Sequence, residues 1–124
     1  LRVQHYPRGG GFLVPHKDTI ISTAQKWSGI KEFIQLLLPL SEKGVNYKTG
    51  GGFVMLSGRP VLIDEQCELG DMVVYSGLKT HGVQEIDPEI PFDLDVNFGR
   101  QVMMCSFYRD LTHNESTYRN LKGE

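Results

Sequence analysis

Clusters of turn-forming residues recur along the chain at short intervals, and they constrain its fold more than any other feature. Glycine and proline, with polar neighbours, mark 7–11, 48–52, 58–60, 70–71 and 87–99, and only short apolar runs fit between them. Runs of this length are typical of strands, since helices usually need about ten residues or more. The sequence therefore predicts an all-β fold with little helix, a sandwich or a barrel. The predicted strands are 2–6 and 12–18 (two strands, or one interrupted by a glycine loop), 52–56, 61–63, 71–75, 81–86 and 100–108.

The segment 30–40 fits two structures. Its apolar residues follow the spacing of one helix face, at Ile30, Phe33, Ile34, Leu37 and Leu38. Residues 33–40 are also apolar enough for a buried strand that ends at Pro39. Periodicity alone does not separate the two, so we expect a helical turn at the start of the segment and a strand at its apolar end.

Length and charge limit the class of protein. The 124 residues suffice for one domain, 1–124. The net charge of -2 argues against a nucleic-acid partner and against an anionic membrane surface, which both need a basic excess. The apolar runs are too short to span a bilayer. The first residues read as a strand without a signal peptide, so we expect a core trimmed at both ends and a cytoplasmic location.

The pattern His16-Lys17-Asp18 directs an imidazole and a carboxylate to one face of a strand, because residues i and i+2 point the same way. A second imidazole is available at His81, after a turn and a buried strand. Two imidazoles and one carboxylate leave about three coordination positions open, which favours non-haem Fe(II) over a structural zinc closed by four protein ligands. The H-x-D pattern and His81 are each weak evidence for a metal site when taken alone, since an isolated histidine is more often an ordinary core or surface residue.

Four stretches of the chain follow the motif order of one enzyme superfamily. They are 6–18 (YPRGGGFLVPHKD), 51–56 (GGFVML), 70–75 (GDMVVY) leading to 81–83 (HGV), and 99–102 (GRQV). With these motifs the chain resembles the Fe(II)- and 2-oxoglutarate-dependent dioxygenases, nearest to the prolyl-hydroxylase-like branch, over about residues 2–109. The resemblance implies a double-stranded β-helix (a cupin-like jelly roll) that forms the catalytic core. It also implies that His16, Asp18 and His81 bind the iron, and that 2-oxoglutarate and O2 are cosubstrates.

The resemblance further implies that Arg100 binds the far carboxylate of 2-oxoglutarate, for which the planar guanidinium fork is well suited. Strand parity favours Arg100 over Arg109, because the two face opposite sides, and it places Val102, Met104, Ser106 and Tyr108 on the face of Arg100. The alternative is that Arg100 pairs with an acid of the preceding loop, Asp93 or Asp95. A valine two residues after the arginine departs from the hydroxyl residue often found in the family.

Other residues are weaker candidates for the site. Tyr6 matches a family tyrosine that lines the cosubstrate pocket, or it is an ordinary strand aromatic. Gln35 reaches the pocket if its segment is a strand. Arg8 and Trp27 border the glycine run and are candidates for substrate contact, although Trp27 equally suits a packing role. The acidic loop 87–95 is either a solvated connection or a lid over the site.

The sequence thus predicts a hydroxylase that acts on an unactivated C–H bond of a small metabolite, a free amino acid or a peptidyl residue, with release of succinate and CO2. The alternative is a cupin-like module that binds a metabolite without redox chemistry and tolerates loss of Arg100. A nucleic-acid demethylase is disfavoured by the acidic charge balance. The substrate itself and the oligomeric state stay open.

Overall fold

A computed structural model of the chain describes residues 1–18 and 34–106. Within these ranges the structure contains eight β-strands and one short 3-10 turn, and the prediction of an all-β fold with little helix is confirmed. In chain order the elements are β1 (Arg2–Tyr6), β2 (Gly11–His16), β3 (Ile34–Pro39), β4 (Gly51–Leu56), β5 (Arg59–Leu62), the 3-10 turn (Ile63–Glu65), β6 (Val73–Ser76), β7 (His81–Ile86) and β8 (Arg100–Ser106).

The strands form two four-stranded antiparallel sheets, in the orders β1-β8-β3-β6 and β2-β7-β4-β5. The hydrogen-bonded pairs include β1 with β8, β2 with β7, β3 with β6 and β4 with β5. The first strand thus pairs with the last, the second with the second-last, and so on to the middle of the chain, which is the pairing pattern of a jelly roll. It brings together residues that are far apart in sequence, and the architecture is therefore jelly-roll-like.

The ambiguous segment provides an inner strand of the first sheet. Strand β3 lies between β8 and β6 and pairs with both. An inner strand has neighbours along both edges, which explains why an apolar run with helical spacing is stable here as a strand. The strand ends at Pro39, as the strand alternative predicted. The expected helical turn at 30–33, like Trp27, lies outside the described residues.

The core lies between the two sheets. On β8 the buried residues alternate, with Arg100, Val102 and Met104 facing inward as strand parity predicted. Tyr108 and Arg109 lie outside the described residues. The buried apolar cluster takes side chains from both sheets and from the loop before β4: Tyr6, Leu37, Tyr47, Val83, Ile86, Val102 and Met104.

The acidic loop after β7 begins at a buried residue. Asp87 is 0% exposed, and its Oδ1 accepts hydrogen bonds from the backbone N–H groups of Lys48 (2.8 Å) and Thr49 (2.7 Å). Burial alone would raise the pKa of Asp87, but these bonds and the Arg8 guanidinium hold it below its usual value. The loop is thus fixed at its start, whereas Phe92 and Leu94 farther along it are exposed. In the part of the chain that the structure describes, no helix has the length and apolar character needed to cross a membrane.

Candidate metal centre

His16 and His81 face each other across two neighbouring strands. Strand β2 pairs with β7 in a register that sets the two residues opposite one another, and their ring centroids are 4.4 Å apart. Directly opposed residues of an antiparallel pair project to the same face of the sheet. The register of the second sheet therefore joins the two imidazoles that the sequence separates.

Both imidazoles present the same ring nitrogen to the site. Nδ1 of His16 lies 2.8 Å from the carbonyl oxygen of Val14, and Nδ1 of His81 lies 2.8 Å from that of Lys79. A carbonyl oxygen only accepts, so each Nδ1 carries the proton and donates it. Nε2 of each neutral ring is then left with its lone pair free. This is the arrangement that orients a histidine for metal binding.

Asp18 completes the group. Strand β2 ends at His16 rather than at residue 18, and the backbone N–H of Asp18 donates to the carbonyl of Gly77 (3.0 Å). Its Oδ1 lies 3.8 Å from Nε2 of His16, and its Oδ2 lies 3.7 Å from Nε2 of His81. The ligand atoms of all three residues lie within 4.8 Å of one another, so the structure brings the predicted triad together.

Gln35 supports the carboxylate from the opposite sheet. Its Nε2 donates to Oδ2 of Asp18 (3.0 Å), and its Oε1 accepts from the Ser106 hydroxyl (2.6 Å). Gln35 is 1% exposed, so its amide makes both bonds from inside the protein. β3 is a strand, and Gln35 contacts Asp18 of the triad, whereas it does not line the cavity beside Arg100. Ser106 was placed on the inward face by parity, but its bond to Gln35 was not predicted.

The triad lies at the edge of the core and is open on one side. The His81 side chain is 8% exposed, that of Asp18 16% and that of His16 33%. Tyr75 packs edge-on against His81, with ring centroids 5.2 Å apart. Burial and the Asp18 carboxylate raise the pKa of Tyr75 to about 12, so its hydroxyl stays protonated at neutral pH. The donor set of two neutral imidazoles and one carboxylate suits a divalent transition metal such as Fe(II).

Arg100 is buried but already has a carboxylate partner. Its Nε and Nη2 donate to Oδ2 (2.6 Å) and Oδ1 (2.9 Å) of Asp64, which lies in the 3-10 turn after β5. The alternative pairing with Asp93 or Asp95 is wrong, because the jelly-roll wrapping brings a different acid to β8. Burial alone would lower the pKa of Arg100, but Asp64 keeps it above its usual value.

Asp64 was not predicted from the sequence, and hydrogen-bond donors surround its carboxylate. Its Oδ2 also accepts from the Gly52 N–H (2.8 Å) and from the Tyr47 hydroxyl (2.8 Å). Burial alone would raise the pKa of Asp64, but the hydrogen bonds and charge of Arg100 hold it below its usual value. A Cβ at position 52 would collide with Nη2 of Arg100, so the glycine there makes room for the pair. In the sequence, the adjacent glycines Gly51 and Gly52 were the one sign that another group packs closely against this strand.

A small cavity is lined by the two histidines of the triad and by Arg100. Its volume is about 30 Å³, and its lining includes His16, His81, Tyr6 and Arg100 together with Gln4. The Oε1 atom of Gln4 is buried without a hydrogen-bond partner among the described residues. Pockets for small molecules are typically roughly 300–1,000 Å³, so a five-carbon dicarboxylate does not fit here unless the lining side chains move apart.

Tyr6 and Arg8, two of the weaker candidates, have different surroundings. The Tyr6 ring lies 5.5 Å from the Arg100 guanidinium carbon and lines the small cavity. Arg8 instead donates from Nε to Oδ2 of Asp87 (2.8 Å). It does not contribute to the lining of the cavity as the structure describes it. Trp27 lies outside the described residues.

Comparisons of the chain with family models, with curated proteins and with solved structures found no match in any of the three.

Proposed function

We propose that the chain is an Fe(II)- and 2-oxoglutarate-dependent dioxygenase that hydroxylates an unactivated C–H bond. The observation that carries the proposal is the convergence of His16, Asp18 and His81, with both imidazoles oriented through Nδ1 to offer Nε2. Three protein ligands on one side leave about three positions for other ligands, which is the arrangement used by non-haem Fe(II) oxygenases. When bound, the ferrous ion would supply the redox chemistry with O2 and 2-oxoglutarate, whose products are succinate, CO2 and the alcohol.

The chain's own contribution is to hold these ligands before the metal arrives. The carbonyls of Val14 and Lys79 fix the two rings, and Gln35 fixes the carboxylate. Pre-oriented ligands lose little freedom when a metal binds, and they keep the open positions on one side. Tyr75 and the buried side of the cavity would exclude water from the reacting atoms.

Arg100 is the residue of the proposal that would contact the far carboxylate of 2-oxoglutarate. In its favour, Arg100 is buried, lines the same cavity as the two histidines and lies against Tyr6. Against it, Asp64 occupies one edge of the guanidinium, and the cavity has a volume of only about 30 Å³. Because Asp64 already pairs with this guanidinium, we assign to Arg100 hydrogen bonding to the far end of 2-oxoglutarate rather than the charge attraction of a free arginine.

The substrate we propose is a small metabolite, a free amino acid or a peptidyl residue. The chain carries an acidic charge balance, with a net charge of -2, which disfavours nucleic acid as the substrate. The partly exposed His16 lies on the open side of the triad, where a substrate would approach.

The proposal is tested by adding Fe(II) and then 2-oxoglutarate to the protein without oxygen. We expect a metal-to-ligand charge-transfer band, and after oxygen is admitted with a panel of candidate substrates we expect succinate. Asp18→Ala and His81→Ala should each remove the band and the succinate, because two remaining ligands hold the metal poorly. Asp93→Ala, which removes a loop carboxylate instead, serves as the matched control. A folded wild-type protein that binds Fe(II) but gives no band would contradict the proposal.

The second candidate is a cupin-like module that binds a metal and a metabolite without redox chemistry. The pairing of Arg100 with Asp64 favours it, because a guanidinium already neutralised is a poor anchor for a dicarboxylate. This module would bind metal at the triad, would release no succinate and would tolerate replacement of Arg100 in metabolite binding. The succinate assay and an Arg100→Ala variant therefore separate the two functions.

A further inference from the structure

Asp64 is a fixed partner of Arg100 rather than a displaceable one. Four hydrogen bonds hold its carboxylate, and two of them come from groups other than Arg100, the Gly52 N–H and the Tyr47 hydroxyl. A ligand that displaced Asp64 would leave these two donors without a partner in a buried site. Leaving buried donors unsatisfied is unfavourable, so Asp64 stays with Arg100 when the pocket is occupied.

Asp64 also determines which part of Arg100 is left for a ligand. A guanidinium has five N–H donors, and Asp64 accepts from the Nε–Nη2 edge. Among residues 1–18 and 34–106, no oxygen accepts a hydrogen bond from Nη1. The Nη1–Nη2 edge is therefore the edge of Arg100 that Asp64 leaves for a ligand in the cavity that Arg100 lines.

That edge belongs to a pair with no net charge. The side chains of Arg100 and Asp64 are 2% and 8% exposed, so water screens their charges poorly. A carboxylate at the Nη1–Nη2 edge would gain the attraction of Arg100 and meet the repulsion of Asp64 on the opposite edge of the same guanidinium. A neutral amide at the same place would keep its hydrogen bonds to the guanidinium and avoid most of the repulsion.

We propose that Asp64 is a specificity-determining residue that makes the Arg100 pocket nearly indifferent to the charge at the far end of its ligand. The inference rests on the proposed function, because it takes the ligand to be 2-oxoglutarate or a related 2-oxo acid. With its lining side chains moved apart, the pocket accepts 2-oxo acids whose far end is a carboxylate or a neutral hydrogen-bonding group of similar size.

The test compares 2-oxoglutarate with its 5-amide, in which a carboxamide replaces the far carboxylate. Both are titrated calorimetrically into the Fe(II)-loaded protein without oxygen, so that binding is measured rather than turnover. We expect the two dissociation constants of the wild-type protein to differ by less than about tenfold, because the two side-chain charges largely cancel. Asp64→Asn should increase the preference for 2-oxoglutarate by about tenfold or more, because it removes the repulsion and keeps the size of the side chain.

Glu65→Gln is the matched control. It removes one negative charge from the same 3-10 turn, but the Glu65 carboxylate bonds Lys43 (3.1 Å) and not Arg100. The preference should stay at the wild-type value. A purely structural role of Asp64 would weaken both ligands alike and leave their ratio unchanged, and that result would overturn the inference.

Two further outcomes separate this inference from the proposed function. If wild-type protein already prefers 2-oxoglutarate by about a hundredfold, the Asp64 inference is wrong while the dioxygenase proposal stands. The comparison on wild-type protein needs no variant, so it tests the Asp64 inference even if Asp64→Asn fails to fold. If Fe(II) binds but neither ligand does, in wild type and variant alike, the proposed function and the inference both fail.

Discussion

Gln35→Leu tests whether the metal centre depends on support from the opposite sheet. The substitution keeps a side chain of similar length on β3 and removes the amide that donates to Oδ2 of Asp18 (3.0 Å). Because Gln35 is 1% exposed, an apolar leucine then faces Oδ2 of Asp18 from the buried side of the site. The Asp18 carboxylate then loses the contact that orients it between the two histidines.

The expected effect follows from the contacts of the amide. A hydrogen bond to a charged carboxylate is worth about 1.5–3 kcal/mol, and loss of such a support typically weakens metal binding by about 10- to 100-fold. Ser106→Ala removes only the bond to Oε1 of Gln35 (2.6 Å) and leaves the donor to Asp18 in place. We expect it to weaken metal binding less than Gln35→Leu does.

The assay is competition for Fe(II) or Mn(II) against a chelator without oxygen, together with circular dichroism to show that the variants are folded. Gln35→Glu provides a second comparison, since an ionised carboxylate of the same size accepts hydrogen bonds but donates none, and it should not restore the affinity. A folded Gln35→Leu protein with wild-type metal affinity would refute the reasoning, because Asp18 would then be oriented without Gln35.

Two further predictions concern the Arg100–Asp64 pair. Gly52→Ala should lower the free energy of unfolding by about 1–3 kcal/mol, because the new Cβ would overlap Nη2 of Arg100; an unchanged denaturant midpoint would contradict this. The pKa values of Asp64 and Asp87 are both held below the usual 3.8, so their contribution to stability is fully present above that pH and is lost as the pH falls through the lower folded-state values. Stability should therefore decline below about pH 4, and Asp64→Asn should make the decline shallower, as urea titrations at a series of pH values would show.

The sequence was most informative where the signal is local. Turn residues separated apolar runs of strand length, and the all-β fold followed from their spacing. Alternation along β8 correctly assigned Arg100, Val102 and Met104 to the interior. The segment 30–40 was less determinate, because the same apolar run suits a helix face and an inner strand, and its neighbours β6 and β8 come much later in the chain.

The candidate site shows the same division. The H-x-D pattern identified two candidate ligands that are neighbours in sequence, whereas the third candidate, His81, was only one available histidine until the β2–β7 register set it opposite His16. Asp64 illustrates the limit, because the acids nearest to Arg100 in sequence, Asp93 and Asp95, are not its partners. An isolated aspartate in a short turn has no pattern that reveals its partner.

The amino-acid pattern predicted most of the strands, the faces that side chains share on them and the residue types available for metal binding, because these depend on the pleat and on neighbours along the chain. Which His, Asp and Gln meet, and which acid pairs with the buried Arg100, is seen in the folded structure and not in the pattern. Those contacts arise when two sheets pack face to face, and the packing depends on the whole set of strands rather than on any one segment.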